Sequence, residues 1–174
     1  MTARRRRRSL LFAASALVLA ACGSSDGGGD PSADGDGGER LPDVAIEELA
    51  TGEPGSLADI EGPAVVNLWA TWCAPCRAEI PDFESVHRAR GDEVRFVGIN
   101  IGEGSDRALD FLDEVGASYD QFLDPEGFVV TELRTTTMPV TIVLDADGAI
   151  SKRHLGPLDQ GGLNDAIDEA LAVS

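Results

Sequence analysis

Hydrophobic and polar positions alternate along residues 41–174 in a pattern that predicts an α/β fold. The run Ala64–Ala70 is almost entirely apolar, which is typical of a central strand buried on both faces. Asp147-Gly148 separates two apolar runs and predicts a hairpin between them. The predicted strands are a short strand or hairpin around Val44–Leu49, Ala64–Ala70, Val94–Ile101, Val140–Leu144 and Ala149–Leu155.

Helical spacing of apolar residues appears between and after these strands. Proline is tolerated in the first turn of a helix, so one helix is predicted to begin near Pro75, with a kink at Pro81. Gly116 predicts the end of a second helix, and Asp124–Gly127 predicts a turn. The predicted helices are Pro75–Arg90, one with Ala108, Phe111, Leu112 and Val115 at helical spacing, a short one through Leu133, and a last one with Leu163, Ile167 and Leu171 toward the core. This order predicts a mixed sheet covered on both faces.

The first 40 residues have the composition of an export signal followed by a linker. Arg4–Arg8 precede the apolar run Leu10–Ala21, which is shorter than the ~20 residues that a membrane-spanning helix needs. We therefore predict a cleaved signal peptide over residues 1–21. Leu19–Cys22 resembles the lipobox of bacterial lipoproteins, which implies that Cys22 is lipidated, and an ordinary signal peptide is the alternative. Residues 22–40, polar and rich in glycine and aspartate, predict a flexible acidic linker to a single domain, residues 41–174.

Charge narrows the possible partners of the mature chain. Removal of residues 1–21 leaves 9 basic and 31 acidic residues, a formal net charge of 9 − 31 = −22. Such a charge argues against binding to nucleic acid and against electrostatic docking to anionic lipid. We therefore expect a domain held by lipid at the outer face of the bacterial cytoplasmic membrane.

Cys73 and Cys76 carry the candidate chemistry, at the junction between the strand Ala64–Ala70 and the helix that follows it. Unpaired backbone N–H groups and the helix dipole stabilise a thiolate at the position of Cys73. Cys76 lies one turn further on the same face. We predict that Cys73 is the attacking thiolate, that Cys76 resolves the mixed disulfide, and that no cofactor or metal is needed beyond this redox-active pair.

Three other interpretations of the cysteine pair are weaker. A structural disulfide would add little stability because it closes a very short loop. Half of a zinc site is present, but His87 and His154 lack ligand spacing with the cysteines. A peroxide-cleaving cysteine would require a Thr-x-x-Cys arrangement, and Ala70 occupies the threonine position.

The segment Val66–Cys76 resembles the active-site segment of the TlpA/ResA family of exported thioredoxin-like oxidoreductases. The flanking motifs fit the same pattern, so that the resemblance covers about residues 42–174; these motifs are Gly62–Val66, Arg77–Pro81, Asp124–Gly127, Met138-Pro139 and Leu144–Gly148. The resemblance implies a thioredoxin fold: a central mixed β-sheet flanked by helices, with an N-terminal strand or hairpin extension and a central αβ insertion.

The resemblance also implies roles for individual residues. Pro139 is expected to be a cis-proline facing the cysteines, with the backbone of Met138 pairing with the bound peptide, whereas a trans-proline opening an edge strand is the alternative. Trp72 and Pro75 are expected to lie at the substrate-binding surface.

Glu79 is expected to tune the protonation of the cysteine pair, and a solvated helix carboxylate is the alternative. Cytoplasmic thioredoxins place an aspartate six residues before the first cysteine for this task. Here the position holds Asn67, which cannot accept a proton.

The expected function is reduction of disulfides in exported client proteins, with cytochrome c maturation as one such process. A membrane thiol-electron donor is implied as a partner, together with the clients. Two alternatives stay open: a disulfide-forming oxidase of the same fold, and a non-catalytic binding lipoprotein.

Overall fold

The structure is a computed structural model that describes residues 38–173. The predicted signal peptide, the lipidation site at Cys22 and the linker up to residue 37 lie outside the described residues. Over residues 38–173, no helix combines the length and the apolar composition that a membrane span requires.

The described residues form one seven-stranded mixed sheet with helices on both faces. The sheet order is β2-β1-β5-β4-β3-β6-β7; β3, β4 and β5 are parallel, and the other pairings are antiparallel. The strands are β1 (Ala45–Glu48), β2 (Pro54–Ser56), β3 (Ala64–Trp69), β4 (Arg95–Ile101), β5 (Asp120–Asp124), β6 (Val140–Leu144) and β7 (Ile150–Leu155). The helices are α1 (Ala74–Arg90), α2 (Ser105–Val115), α3 (Phe128–Glu132) and α4 (Gln160–Ala172), with a 3₁₀ turn at Leu57–Asp59. This arrangement confirms the predicted thioredoxin fold and its N-terminal hairpin.

Strand β3 is the centre of the core, and all six of its residues are buried. Val65 packs on one face with Phe83 of α1 and Leu163 of α4. Val66 packs on the other face, in a cluster that includes residues of β1 and α3. A strand covered on both faces needs apolar residues at every position except where a polar group has a partner. Asn67, the one polar residue of β3, therefore requires an explanation.

Strand β5 is the element that the hydrophobic pattern did not predict. Its sequence, Asp-Gln-Phe-Leu-Asp, carries charged and polar residues at three of five positions, and two of its residues are buried. It is a strand because it pairs with β4 on one side and with β1 on the other. Pairing between distant segments decides this element, and local propensity is a weak guide to such strands.

The domain begins slightly earlier than composition indicated. The Glu39 carbonyl accepts a hydrogen bond from the Ile150 N–H (2.6 Å), and Arg40 forms a β-bridge with Ala149. Arg153 also donates to the Glu39 carboxylate at 3.0 Å. The last two residues of the predicted linker are thus attached to the β6–β7 hairpin.

Candidate active site

Cys73 and Cys76 form a disulfide at the start of α1, with their Cα atoms 5.3 Å apart. Cys73 is the N-cap residue of this helix, and its Sγ accepts a hydrogen bond from the Cys76 N–H at 3.3 Å. The side chain of Cys76 is fully buried, whereas Cys73 keeps 6% of its surface exposed. An external thiol or disulfide can therefore reach Cys73 first.

A cleft of about 480 Å³ opens beside Cys73. One wall is the Trp72–Pro75 segment, and the other is formed by Val130 and by Thr135–Met138. The Met138–Pro139 peptide bond is cis, as the resemblance implied, and the alternative of a trans bond is wrong. Pro139 itself is buried behind the cleft, where its carbonyl accepts from the Gly156 N–H at 2.9 Å. The structure thus brings Met138 and the cysteine pair to opposite walls of one cleft.

The two tryptophans beside the cysteines have different environments. Trp69 is fully buried against Phe111 of α2, with the two ring centroids 5.7 Å apart, and its Nε1–H donates to Gln121 Oε1 at 3.0 Å. Trp72 is 60% exposed at the mouth of the cleft. An exposed indole next to a reactive sulfur offers a large apolar surface to a protein client.

Glu79 lies one helical turn after Cys76 and is buried, with 3% of its surface exposed, so the alternative of a solvated helix carboxylate is wrong. One carboxyl oxygen accepts a hydrogen bond from Asn67 Nδ2 at 2.8 Å, and the other accepts from the Leu158 N–H at 3.0 Å. Asn67 therefore has a polar partner at the centre of the sheet. The spacing in the sequence could place Glu79 on the helix face of Cys76, but it could not show that Leu158, 79 residues away, closes over it.

Burial raises the pKa of Glu79 to about 7. The hydrogen bonds from Leu158 and Asn67 oppose this rise because they stabilise the carboxylate, and the charge of Asp82 adds to it slightly. A carboxyl group with a pKa near 7 can both accept and return a proton at neutral pH. Glu79 is thus suited to general base and general acid chemistry next to Cys76.

A second cleft, of about 420 Å³, connects Glu79 with the surface. It lies between α1 and the segment that precedes α4, on the other side of Pro75 from the first cleft. Its walls include Asp82, Pro157 and Asp159. A proton on Glu79 therefore has a short route to solvent that does not pass through the cleft beside Cys73.

Glu103 is a site residue that sequence reasoning missed. Its carboxylate accepts hydrogen bonds from the Thr71 N–H (2.6 Å), from the Thr71 hydroxyl and from Asn100 Nδ2 (2.7 Å). It thus ties the loop that precedes Cys73 to the end of β4. The only signal in the sequence was Asn100, a polar residue inside the otherwise apolar part of β4 from Phe96 to Ile101.

The two histidines lie in other surroundings. His87 packs against the rings of Phe96 and Tyr119, and a ring nitrogen of His154 lies 3.2 Å from the Pro157 carbonyl. Within residues 38–173, no group of three or more histidine, cysteine or acidic side chains is arranged to hold a metal ion.

Comparison with known proteins places most of the domain in one family. Residues 38–153 match the AhpC/TSA family. The thiol:disulfide interchange protein HelX of Rhodobacter capsulatus is 33% identical over 138 residues, which cover 78% of this chain and 77% of that protein. Two solved structures share the fold.

The first of these structures is a thiol:disulfide interchange protein of the thioredoxin family from Chlorobium tepidum, with a TM-score of 0.66 and 29% identity over 80% of this chain and 99% of that one. The second is a secreted thiol-disulfide isomerase from Corynebacterium glutamicum, with a TM-score of 0.66 and 29% identity over 76% of this chain and 84% of that one. The chain therefore belongs to the AhpC/TSA family, in which its relatives are thiol:disulfide interchange proteins.

Proposed function

We propose that this chain is an extracytoplasmic thiol–disulfide oxidoreductase that reduces disulfides in exported proteins. In this proposal Cys73 is the attacking thiolate, Cys76 is the resolving thiol and Glu79 is the group that exchanges a proton with Cys76. The clients bind in the cleft between Trp72 and Met138. Cytochrome c maturation is one process that would supply such clients.

The observation that carries this proposal is the asymmetry of the cysteine pair. Cys73 lies at the N-cap of α1 and keeps 6% of its surface exposed, whereas Cys76, on the same helix face as Glu79, is fully buried. A helix N-terminus stabilises a thiolate on the accessible Cys73. The buried sulfur, in contrast, needs a base before it can attack, and a carboxyl group of raised pKa lies one turn away.

The proposed exchange has two steps. The Cys73 thiolate attacks a client disulfide, so that a mixed disulfide forms and the other client sulfur leaves as a thiolate that takes a proton from solvent. Cys76 then transfers its proton to Glu79 and attacks the Cys73 sulfur. The client leaves as a second thiolate, reduced by two electrons, and the chain keeps the disulfide between Cys73 and Cys76.

The reducing direction requires that the dithiol be restored after each cycle. We propose a membrane thiol-electron donor for this step, and a lipid on Cys22 that keeps the domain near it. The secreted relative supports a location outside the cytoplasm. The acidic surface, with a mature net charge of −22 for 9 basic and 31 acidic residues, would keep the domain away from anionic headgroups.

A trapping experiment tests the proposed exchange. Cys76→Ser stops resolution, so covalent adducts between Cys73 and exported proteins are expected to accumulate on non-reducing gels. Cys73→Ser is the matched control and is expected to form almost none, because Cys76 is fully buried. Absence of adducts with Cys76→Ser would overturn the enzyme assignment, and undiminished function of that variant would favour a binding lipoprotein.

The reduction potential tests the direction of electron flow. A reductase is expected to have a potential well below that of strongly oxidising dithiol proteins, which is about −120 mV, and to be found mainly as the dithiol in cells. A potential close to that value, with the disulfide predominant in cells, would identify an oxidase instead.

A further inference from the structure

A line of polar residues crosses the sheet directly beneath α1. Paired residues on adjacent strands point to the same face of a sheet, so one line of partners forms one row of side chains. We define the polar row by its members on β5, β4, β3, β6 and β7, which are Gln121, Gly98, Asn67, Thr141 and His154.

The polar row differs from the parallel row of paired residues that crosses β3 at Val65, two residues before Asn67. That second row contains Phe96, Val65 and Val143, which belong to the apolar core beneath α1 and α4. Asn67 and Thr141, at the middle of the polar row, are as completely buried as these apolar residues. Two polar side chains at the centre of a core are expensive unless they serve a group that needs them.

The group that Asn67 contacts is Glu79. Asn67 Nδ2 donates to the Glu79 carboxylate at 2.8 Å. Among the described residues, Asn67 Oδ1 and Thr141 Oγ1 are both buried with no hydrogen-bond partner. Since Asn67 and Thr141 are directly paired across β3 and β6, their Cβ atoms are roughly 5 Å apart. The free carbonyl and the free hydroxyl thus belong to neighbouring side chains, and the amide of Asn67 also contacts the Glu79 carboxylate.

This pair can satisfy Glu79 in either protonation state. An asparagine amide presents a donor on one side and an acceptor on the other, and a threonine hydroxyl can donate or accept. With Glu79 as a carboxylate, Asn67 Nδ2 donates to it and the Thr141 hydroxyl can donate to Asn67 Oδ1. With Glu79 as an acid, a half-turn of the amide lets Oδ1 accept the carboxyl proton while Nδ2 donates to Thr141 Oγ1.

We propose that Asn67 and Thr141 are positioning residues that let Glu79 take and return the proton of Cys76 by a half-turn of the Asn67 amide. The proposal rests on the proposed function and adds a role for two residues to it. The proton leaves Cys76 Sγ, resides on the Glu79 carboxyl oxygen that faces Asn67, and returns to solvent through the cleft beside Asp82 and Asp159. No redox partner is needed for this step.

Other groups around Glu79 cannot replace the pair. Leu158 offers only an N–H donor to the second carboxyl oxygen. Asp82 on the same helix raises the pKa of Glu79, and Asp159 lines its cleft. The charges of Glu79 and Glu84 help to raise the pKa of Tyr119. Burial also raises the pKa of Tyr119, so its hydroxyl stays protonated. The carboxyl oxygen that gains the proton therefore depends on Asn67.

Titration of the Glu79 carboxyl carbon by NMR, in the oxidised protein, tests the proposal without an activity assay. Thr141→Val removes the hydroxyl with little change of shape and withdraws its support from both amide orientations. The hydrogen bond from Asn67 to the charged carboxylate is the stronger of the two, so the carboxylate form loses more and the titration midpoint is expected to rise by about 0.5–1 pH unit. Thr141→Ser keeps the hydroxyl and is the matched control, with an expected midpoint within about 0.2 unit of the unsubstituted protein. Asn67→Leu is expected to raise the midpoint further.

The proposal is overturned if Thr141→Val titrates like the unsubstituted protein, or if Thr141→Ser shifts the midpoint as far as valine does. Trapping keeps this result separate from the proposed function. Thr141→Val combined with Cys76→Ser is expected to trap clients as fully as Cys76→Ser alone, because attack by Cys73 precedes the proton transfer. Failure of Cys76→Ser to trap any client would remove the proposed function, whereas the titration would still decide whether Thr141 supports Glu79.

Discussion

At the scale of single residues, Glu79 shows how a fold changes the chemistry of an ordinary side chain. A glutamate on a solvated helix would titrate near 4.5, whereas burial raises the pKa of Glu79 to about 7. Two hydrogen bonds stabilise its carboxylate but do not offset the loss of hydration. The core therefore contains a carboxyl group whose ionisation lowers the free energy of unfolding, and this loss of stability can be measured.

The raised pKa of Glu79 predicts a specific dependence of stability on pH. Between about pH 4.5 and 7 the folded protein holds a proton that the unfolded chain has released, so this residue lowers the free energy of unfolding as the pH rises. The full effect is roughly 3 kcal/mol. Glu79→Gln removes this titration, and we expect the oxidised variant to gain stability over the unsubstituted protein by that amount between pH 4.5 and pH 8.

Urea unfolding at the two pH values measures the effect, and the low-pH experiment is the internal control for any change of packing. The same difference between the two proteins at both pH values would mean that Glu79 titrates normally.

At the scale of elements, side chains from outside an element often decide where it forms. Helix α3 has only five residues, and Asp124 at the end of β5 stabilises its N-terminus. The Asp124 carboxylate accepts hydrogen bonds from the N–H groups of Gly127, Phe128 and Val129 at 2.8–3.0 Å. The predicted turn at Asp124–Gly127 is confirmed, but the hydrophobic pattern could not show that Asp124 belongs to a buried strand.

Substitution of Asp124 is expected to loosen α3 and the cleft wall that follows it. Asp124→Ala removes all three of these hydrogen bonds, and we expect a loss of about 2–4 kcal/mol in the free energy of unfolding. Asp124→Asn keeps one acceptor oxygen and is expected to lose about half as much. Urea midpoints measure both variants, and equal stability of Asp124→Ala and the unsubstituted protein would show that α3 does not depend on this cap.

At the scale of the whole molecule, the cysteine pair and the start of the domain lie at opposite ends of the sheet. Strand β3 runs from Ala64 to Trp69 toward the cysteines, roughly 17 Å at the rise of a strand. The bridge between Arg40 and Ala149 lies next to the β6–β7 turn, at the end where β3 begins. The chain thus enters the domain on the side away from the client cleft.

This arrangement predicts that the anchor and the chemistry are separable. Cys22→Ser is expected to move the protein from the membrane fraction to the soluble fraction, while the rate of reduction of a small soluble disulfide stays unchanged. Fractionation and a reductase assay on the same preparation measure both. Retention of the variant in the membrane fraction would mean that residues 19–22 are not a lipobox.

The sequence by itself determined the chemistry that depends on local spacing. Cys73 and Cys76 lie at i and i+3 across a strand-to-helix junction, and helix geometry alone places both sulfurs on one face and at the N-terminal dipole.

Only the tertiary structure decided which polar groups this pair can use. Leu158 closes over Glu79, Glu103 holds Thr71, and Thr141 lies beside Asn67, each through residues far apart in the chain. Burial is a property of the packed sheet and helices, so the pKa of Glu79 and the partners of Asn67 could not be predicted from the sequence around either residue.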